Sequence, residues 1–151
     1  MKHTLRPQCG FTVIELIAVI VVLGILSATV LPKFFDKSGY QQRVIFDDTL
    51  NAVRYAQKLA VATGCNVQFS ISSNAFQLLH ATTCSSTSYG VAVAHPATQT
   101  PPYTGSEAGI SLPNTTITFN AIGEADGGTS ITIGGKTINI VPSTGFIYVT
   151  P

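Results

Sequence analysis

The chain carries little charge for its length, because only 10% of its 151 residues are Asp, Glu, Lys or Arg. Soluble domains usually carry about a quarter, so part of this chain is expected to lie in a medium other than water. The formal net charge is +1, and Lys136 is the only basic residue after residue 60. Nucleic-acid binders concentrate Lys and Arg in a basic patch, so the composition argues against a nucleic-acid partner.

Motifs for catalysis and metal binding are also missing. The sequence has no H-E-x-x-H, no G-x-S-x-G and no phosphate-binding glycine loop. His80 and His95 have no second ligand at a recognised metal spacing. Residues 123–128 mix two acids with glycines and could hold calcium, but the order of an EF-hand loop is absent, which favours a polar turn. We therefore expect neither an enzyme, nor a metal site, nor a cofactor.

A long apolar run is present near the start. Residues 1–10 are polar and include Lys2 and Arg6, whereas Glu15 is the only charge in residues 11–30. A 20-residue helix is about 30 Å long, enough to cross a hydrocarbon core. The run is also longer than the core of an ordinary secretory signal. Basic residues before it predict an N-terminus in the cytoplasm.

Glu15 needs an explanation, because a carboxylate in a bilayer costs about 2.5–3.5 kcal/mol on insertion scales. Val19, four residues on, cannot neutralise it. Physical reasoning leaves two alternatives open. Either a cation comes from another molecule, or the charge is tolerated because it lies close to the membrane surface.

The rest of the chain predicts one amphipathic helix followed by short strands. Residues 42–62 repeat apolar side chains at helical spacing, including Phe46, Leu50 and Val53, and Gly64 is a natural stop. Alternating runs between turn residues then predict strands. Their ranges are 66–71, 75–80, 89–94, 115–121, 129–133, 136–141 and 146–149. Prolines and glycines make residues 95–114 a predicted loop. A helix laid on antiparallel sheets is an α+β fold.

Residues 10–16, GFTVIEL, resemble the prepilin signature of type IV pilin-like proteins. The resemblance implies that a membrane prepilin peptidase cuts after Gly10 and that the new amino terminus, Phe11, is N-methylated. It also implies that Glu15 pairs with the amino terminus of a neighbouring subunit, which decides between the two alternatives. Pro32 occupies a position where this family often carries a proline, and a proline there predicts a bend in the helix.

Cleavage after Gly10, as the resemblance implies, would remove Cys9 and leave Cys65 and Cys84. A cysteine pair in an exported domain is most simply a disulfide. Two buried free thiols are the alternative.

The C-terminal part resembles the GspH/FimT group of minor pilins and pseudopilins. The residues that carry this resemblance are 53–60, 66–79, 117–123 and the closing strand after Gly145. Within the group the chain is most similar to the minor pilin of the mannose-sensitive haemagglutinin (MSHA) pilus, because of residues 32–35 and the two cysteines. The implied fold is pilin-like: a long N-terminal helix with an apolar, membrane-spanning half and an amphipathic half packed on a C-terminal antiparallel β domain.

The resemblance also implies domains, location and partners. Residues 1–10 are a leader that is removed, 11–30 a transmembrane and assembly helix, and 31–151 a periplasmic domain with helix to about residue 62. The chain would cross the bacterial inner membrane once and join the initiation or tip complex of a pilus. Its expected partners are the peptidase, other pilin subunits and an assembly platform driven by a separate ATPase.

Three other functions stay open at this point. The chain could be a minor pseudopilin of a type II secretion system, a FimT-like receptor for DNA uptake, or a tip adhesin that contacts carbohydrate, although nothing in the sequence specifies a sugar. The predicted closing strand, residues 146–149, has no Arg or Lys, which argues against the receptor.

Overall fold

The structure, a computed structural model, describes residues 11–34, 37–84, 86–128 and 130–151, without the side chains of 28–34 and 37–38. Gly10, Cys9 and the rest of the expected leader lie outside the described residues, as do Phe35 and Thr129. The chain divides into two units, Met1–Lys37 and Ser38–Pro151.

Two helices come first in the chain. Helix α1 spans Val13–Phe34 and helix α2 spans Lys37–Thr63. Helix α2 ends at Gly64, whose φ is +67° and whose N–H donates to the carbonyl of Ala60 at 2.9 Å. This left-handed conformation costs a glycine little, so the stop predicted at Gly64 is confirmed.

Pro32 lies within α1, shortly before the helix ends at Phe34, and the bend expected there stays a prediction. Among the described residues, neither helix combines the length and the hydropathy that a membrane crossing requires. The span expected at residues 11–30 stays a prediction as well.

Nine strands follow α2 in the part of the chain that the structure describes. They are β1 Val67–Ser72, β2 Ala75–Ala81, β3 Tyr89–Ala92, β4 Thr104–Ser106, β5 Thr115–Phe119, β6 Ala125–Gly127, β7 Ser130–Ile133, β8 Lys136–Ile140 and β9 Ile147–Thr150. One antiparallel sheet has the order β3-β2-β1-β5-β6, with β4 also paired to β2, and a second has the order β7-β8-β9. The protein therefore has the α+β fold expected of a pilin.

Two tight turns set the register of the hairpins. Ser73 and Asn74 join β1 to β2 with φ values of 51° and 62°, and Gly134 and Gly135 join β7 to β8 with 58° and 82°. Positive φ at both central residues defines the type I′ turn, which matches the twist of paired strands. The strands on both sides of each turn were predicted from the sequence.

The sequence prediction missed two strands of three residues each. Strand β4 lies inside residues 95–114, predicted as a loop, and β6 lies inside residues 123–128, predicted as a polar turn. Three residues are too short to show alternation, so these strands depend on their neighbours. In β4, Gly105 lies opposite Phe76 of β2, and a Cβ at Gly105 would collide with the Phe76 ring.

The core of the second unit forms between α2 and the two sheets. The stripe predicted on α2 is buried, including Phe46, Val53 and Ala60, and it packs with apolar side chains from both sheets. Strands β7 and β8 contribute isoleucines such as Ile131 and Ile138. Burying each large apolar side chain contributes about 1.5–3 kcal/mol, so this unit carries its own source of stability.

Two side chains of this unit have shifted pKa values. Burial lowers the pKa of His80, because a buried site disfavours the charged imidazolium. Burial, followed by the nearby Asp48 carboxylate, raises the pKa of Tyr103. The Tyr103 ring packs edge-on against the rings of Tyr55, Phe76 and His95, which anchors the chain just before β4.

A disulfide joins Cys65, directly after α2, to Cys84, after β2, with the two Cα atoms 4.2 Å apart. This pairing agrees with the sequence prediction. The bond closes a loop that contains the whole β1–β2 hairpin, so it ties the end of α2 to the first hairpin.

Replacing both cysteines, Cys65→Ser with Cys84→Ser, is expected to lower the free energy of unfolding by about 3 kcal/mol, because the unfolded chain gains loop entropy. Denaturant unfolding of the full-length protein in detergent measures the loss. The unreduced parent is the control, and the parent in reductant should match the double variant. Equal stability of all three would contradict the prediction.

Thr49 is a fully buried polar residue of α2, and its Oγ1 has no hydrogen-bond partner among the described residues. A buried hydroxyl without a partner costs about 1–3 kcal/mol. Thr49→Val keeps the shape and removes the hydroxyl, so we expect an unchanged or higher free energy of unfolding. Thr49→Ala, which leaves a cavity, should be less stable. A Val variant less stable than the Ala variant would mean that the hydroxyl is satisfied in solution.

Candidate assembly site on the first helix

Thr12 caps the beginning of α1. The backbone N–H of Glu15 lies 3.3 Å from Thr12 Oγ1 and 3.1 Å from the Thr12 carbonyl, and the N–H of Leu16 donates to the same carbonyl at 3.2 Å. Thr-x-x-Glu is the pattern of a capping box, in which the first side chain satisfies a free N–H of the first turn. The cap fixes the start of the helix at Val13 and leaves Phe11 outside it.

Glu15 stands in the first turn of α1. The positive end of the helix dipole lies there and favours a carboxylate. No described residue forms an ion pair with Glu15. Within the described chain, the N-terminus of the helix is therefore what attracts this carboxylate. The attraction stabilises the carboxylate by only about 0.3–1 kcal/mol.

A shallow groove of about 290 Å³ extends from Glu15 along one face of α1. Its lining residues are Glu15, Ala18, Val19, Val22 and Leu23. Their spacing of three and four residues places them on one face, and the small Ala18 leaves the concavity open. A ridge of apolar side chains from a second helix would fit such a groove, with the carboxylate at its N-terminal end.

Up to Leu26, the other faces of α1 are also apolar and exposed. The exposed fraction of the large side chains ranges from 76% for Val13 to 46% for Ile17, and Phe11, just before the helix, is 85% exposed. Among the described side chains of this helix, Ser27 carries the one hydroxyl after Thr12. Its Oγ donates to the Leu23 carbonyl at 2.7 Å. An apolar surface of this size marks a site that another molecule or a membrane covers.

The site residues predicted from the sequence fall in different places. Phe11 and Glu15 lie together at the start of α1, whereas Gly10 is outside the described residues. Cys65 and Cys84 belong to the second unit and have no part in this site. Sequence reasoning missed Thr12, although the Thr-x-x-Glu pattern directly before an apolar run is a readable signal of a helix start.

The acidic and glycine-rich stretch near β6 is organised by Asn120. Its Oδ1 accepts from the N–H groups of Ile122 and Glu124 at 3.1 and 3.0 Å, and its Nδ2 donates to the Glu124 carboxylate at 2.9 Å. One of the two carboxylates is thus engaged in the turn. Among the described residues, no group of three His, Cys, Asp or Glu lies close enough to hold a metal ion.

Comparison with known proteins agrees with this geometry. Residues 5–31 match the family model described as the prokaryotic N-terminal methylation motif. Over 51 residues the chain is 45% identical to the type IV narrow pilus major component PilA5 of Thermus thermophilus, a match that covers 34% of this chain and 44% of that protein. No solved structure matches the chain.

The start of the chain is therefore type IV pilin-like. The motif match includes Phe11, Thr12 and Glu15, which are the residues that the structure brings together at the start of α1. The matches do not distinguish an MSHA-type minor pilin from a GspH-like or a FimT-like protein.

Proposed function

We propose that the protein is a minor pilin, a structural subunit that enters a type IV pilus through α1. The observation that carries the proposal is the apolar, uncovered surface of α1 together with a carboxylate that no described residue neutralises. A helix of this kind suits an environment without water, which neighbouring subunits would provide. In that environment the Glu15 carboxylate needs a cation as its partner.

The amino terminus of a neighbouring subunit is the proposed cation. Cleavage after Gly10 would free the amino group of Phe11, and methylation of this nitrogen keeps its positive charge. Thr12 caps the helix between the two groups, so each subunit presents an ammonium and a carboxylate at fixed positions. In a medium of low dielectric constant, a close ion pair is far better than a lone charge.

The same helix serves the subunit before and after assembly. Before assembly it would cross the bacterial inner membrane once, with residues 31–151 in the periplasm and Lys2 and Arg6 on the cytoplasmic side. Bilayer and filament core are both dry, so helix packing can offset the loss of lipid contacts. The work of extraction would come from a separate ATPase acting through an assembly platform.

Glu15→Gln tests the pairing role. The variant is expected to be cut after Gly10 and methylated at Phe11, yet to enter filaments at least about a hundredfold less well, because breaking a buried ion pair costs about 3–5 kcal/mol. Mass spectrometry of the membrane-bound chain reports processing, and quantitative mass spectrometry of sheared filaments reports incorporation.

Matched controls separate charge from fold. Glu15→Asp keeps the carboxylate and should incorporate better than Glu15→Gln, whereas Glu107→Gln removes a charge from the second unit and should incorporate normally. Normal incorporation of Glu15→Gln would rule out the pairing role, while an uncut Glu15→Gln chain would instead place Glu15 in peptidase recognition.

We propose the MSHA-type minor pilin over the type II secretion pseudopilin because of residues 32–35 and the Cys65–Cys84 pair. PilA5 is described as a major component of its pilus, so the minor role of this chain is a separate proposal. Its copy number in filaments, relative to the main subunit of the same filaments, distinguishes the two roles.

Binding of DNA is a second candidate, favoured by one cluster of side chains. Arg54 and Lys58 of α2 lie beside Phe146 in an open cleft, and the Phe146 ring stacks on Tyr148 with centroids 6.1 Å apart. Cations beside exposed aromatic rings are typical of sites for single-stranded nucleic acid. The sequence prediction considered only the closing strand and missed these two cations of α2.

Full-length protein in detergent should then bind a fluorescent single-stranded oligonucleotide, and binding should weaken as salt rises. Arg54→Gln with Lys58→Gln should abolish it, whereas Lys33→Gln with Lys37→Gln removes equal charge elsewhere in the chain and should not. Binding that is absent, or equal in both double variants, excludes this cluster as a DNA site.

A further inference from the structure

Lys136, the only basic residue after residue 60, lies beside Arg43 at the beginning of α2. The two side chains line a pocket of about 250 Å³. Its other lining residues are Gly39, Gln42, Phe46, Ile133 and Gly134. We call it the Arg43–Lys136 pocket. It lies wholly in the second unit and shares no residue with the assembly site on α1.

The β7–β8 hairpin brings Lys136 to the helix. Gly134 in its turn lies so close to Gln42 that a Cβ there would be 2.9 Å from Gln42 Oε1 and 3.2 Å from Gln42 Cβ. The absence of a side chain at Gly134 therefore lets the turn approach α2. Lys136 opens β8 directly after this turn, and its Nζ stands 5.4 Å from the centroid of the Phe46 ring. This cation–π contact holds the ammonium over the pocket.

The positive charge of the pocket is not balanced by the described residues. No carboxylate is among the lining residues. Neither Arg43 nor Lys136 forms an ion pair with a described residue, although Asp47 lies one helical turn from Arg43 on α2. Two neighbouring cations repel each other, and an anion bound between them removes that cost. Gln42 adds an amide group that can donate to the same anion.

The place of the pocket in the chain indicates the kind of anion. Gly39 and Arg43 belong to the first two turns of α2, a few residues after the end of α1 at Phe34. If residues 11–30 cross the membrane, as proposed, only residues 31–42 separate the span from Arg43, so the chain tethers the pocket close to the lipid phosphates. Phe46 and Ile133 form apolar walls of the pocket. Such walls favour contact with the glycerol carbons of a lipid over contact with water.

We propose that the Arg43–Lys136 pocket binds the phosphate of an anionic phospholipid headgroup. The choice of a lipid over free phosphate rests on the proposed membrane location, whereas the phosphate chemistry rests on the two cations alone. Arg43 supplies planar N–H donors for two phosphate oxygens and Lys136 supplies a point charge. The headgroup would hold the second unit at the membrane surface until the subunit is extracted.

Native mass spectrometry of the full-length protein in detergent tests the site. Dioleoyl phosphatidylglycerol and dioleoyl phosphatidylcholine are added separately, and the retained lipid is counted. Wild type should retain the glycerol lipid in preference to the choline lipid. Arg43→Gln with Lys136→Gln should reduce that retention roughly tenfold or more, since each cation near a lipid surface contributes measurably to binding.

Arg54→Gln with Lys58→Gln is the matched control, because it removes two exposed charges from the same unit. It should retain the anionic lipid as wild type does. Equal retention by wild type and both double variants, or no preference of wild type for the anionic lipid, overturns the proposal. Arg43→Gln alone leaves the Lys136–Phe46 contact intact and should show a partial loss even if the double variant is unstable.

Glycerol 1-phosphate and inorganic phosphate distinguish the source of the anion. Displacement of bound lipid by millimolar glycerol 1-phosphate, with little effect of inorganic phosphate, supports the headgroup site. Equal displacement by both means a site for free phosphate and overturns the lipid assignment. Filament incorporation of Arg43→Gln with Lys136→Gln is measured separately, so failure of this proposal and failure of the pilin role give different results.

Discussion

A carboxylate on an apolar helix is the constraint on which the rest of this protein depends. Glu15 stands at one end of a groove on α1, in a first turn whose dipole offers only partial compensation. The helix around it exposes apolar side chains on every face. Such an element is stable only in a dry medium, and in that medium the carboxylate requires a cation. Under the proposed role, this requirement lets α1 select the subunits that lie beside it.

The second unit has a hydrophobic core of its own. Its core is closed by α2 and two sheets, and its disulfide ties α2 to the first hairpin. Under the proposed role, α1 would pass from lipid to other subunits, and a core closed by α2 and the two sheets can stay folded while this happens.

The parts of the fold that the sequence predicted are those with a local cause. The stripe on α2 follows the helical period, and the I′ turns at Ser73–Asn74 and Gly134–Gly135 require residues that tolerate positive φ. Strands β4 and β6 have no such cause, because their three residues pair only where β2 and β5 already offer an edge. Lys136 and Arg43 likewise come to line one pocket because a hairpin turn packs on α2. No local sequence pattern predicts this proximity.

The Thr12 cap has a consequence for symmetry. Since the helix begins at Val13, residues 11 and 12 are non-helical and Phe11 lies at most about 10 Å along the axis from Glu15, given about 3.3–3.6 Å per extended residue and 1.5 Å per helical residue. A subunit that places its amino terminus on the Glu15 of its neighbour must be displaced along the helix axis by about that length. In the proposed filament, residues 11–15 of each chain would therefore set an upper limit on the axial step between paired subunits.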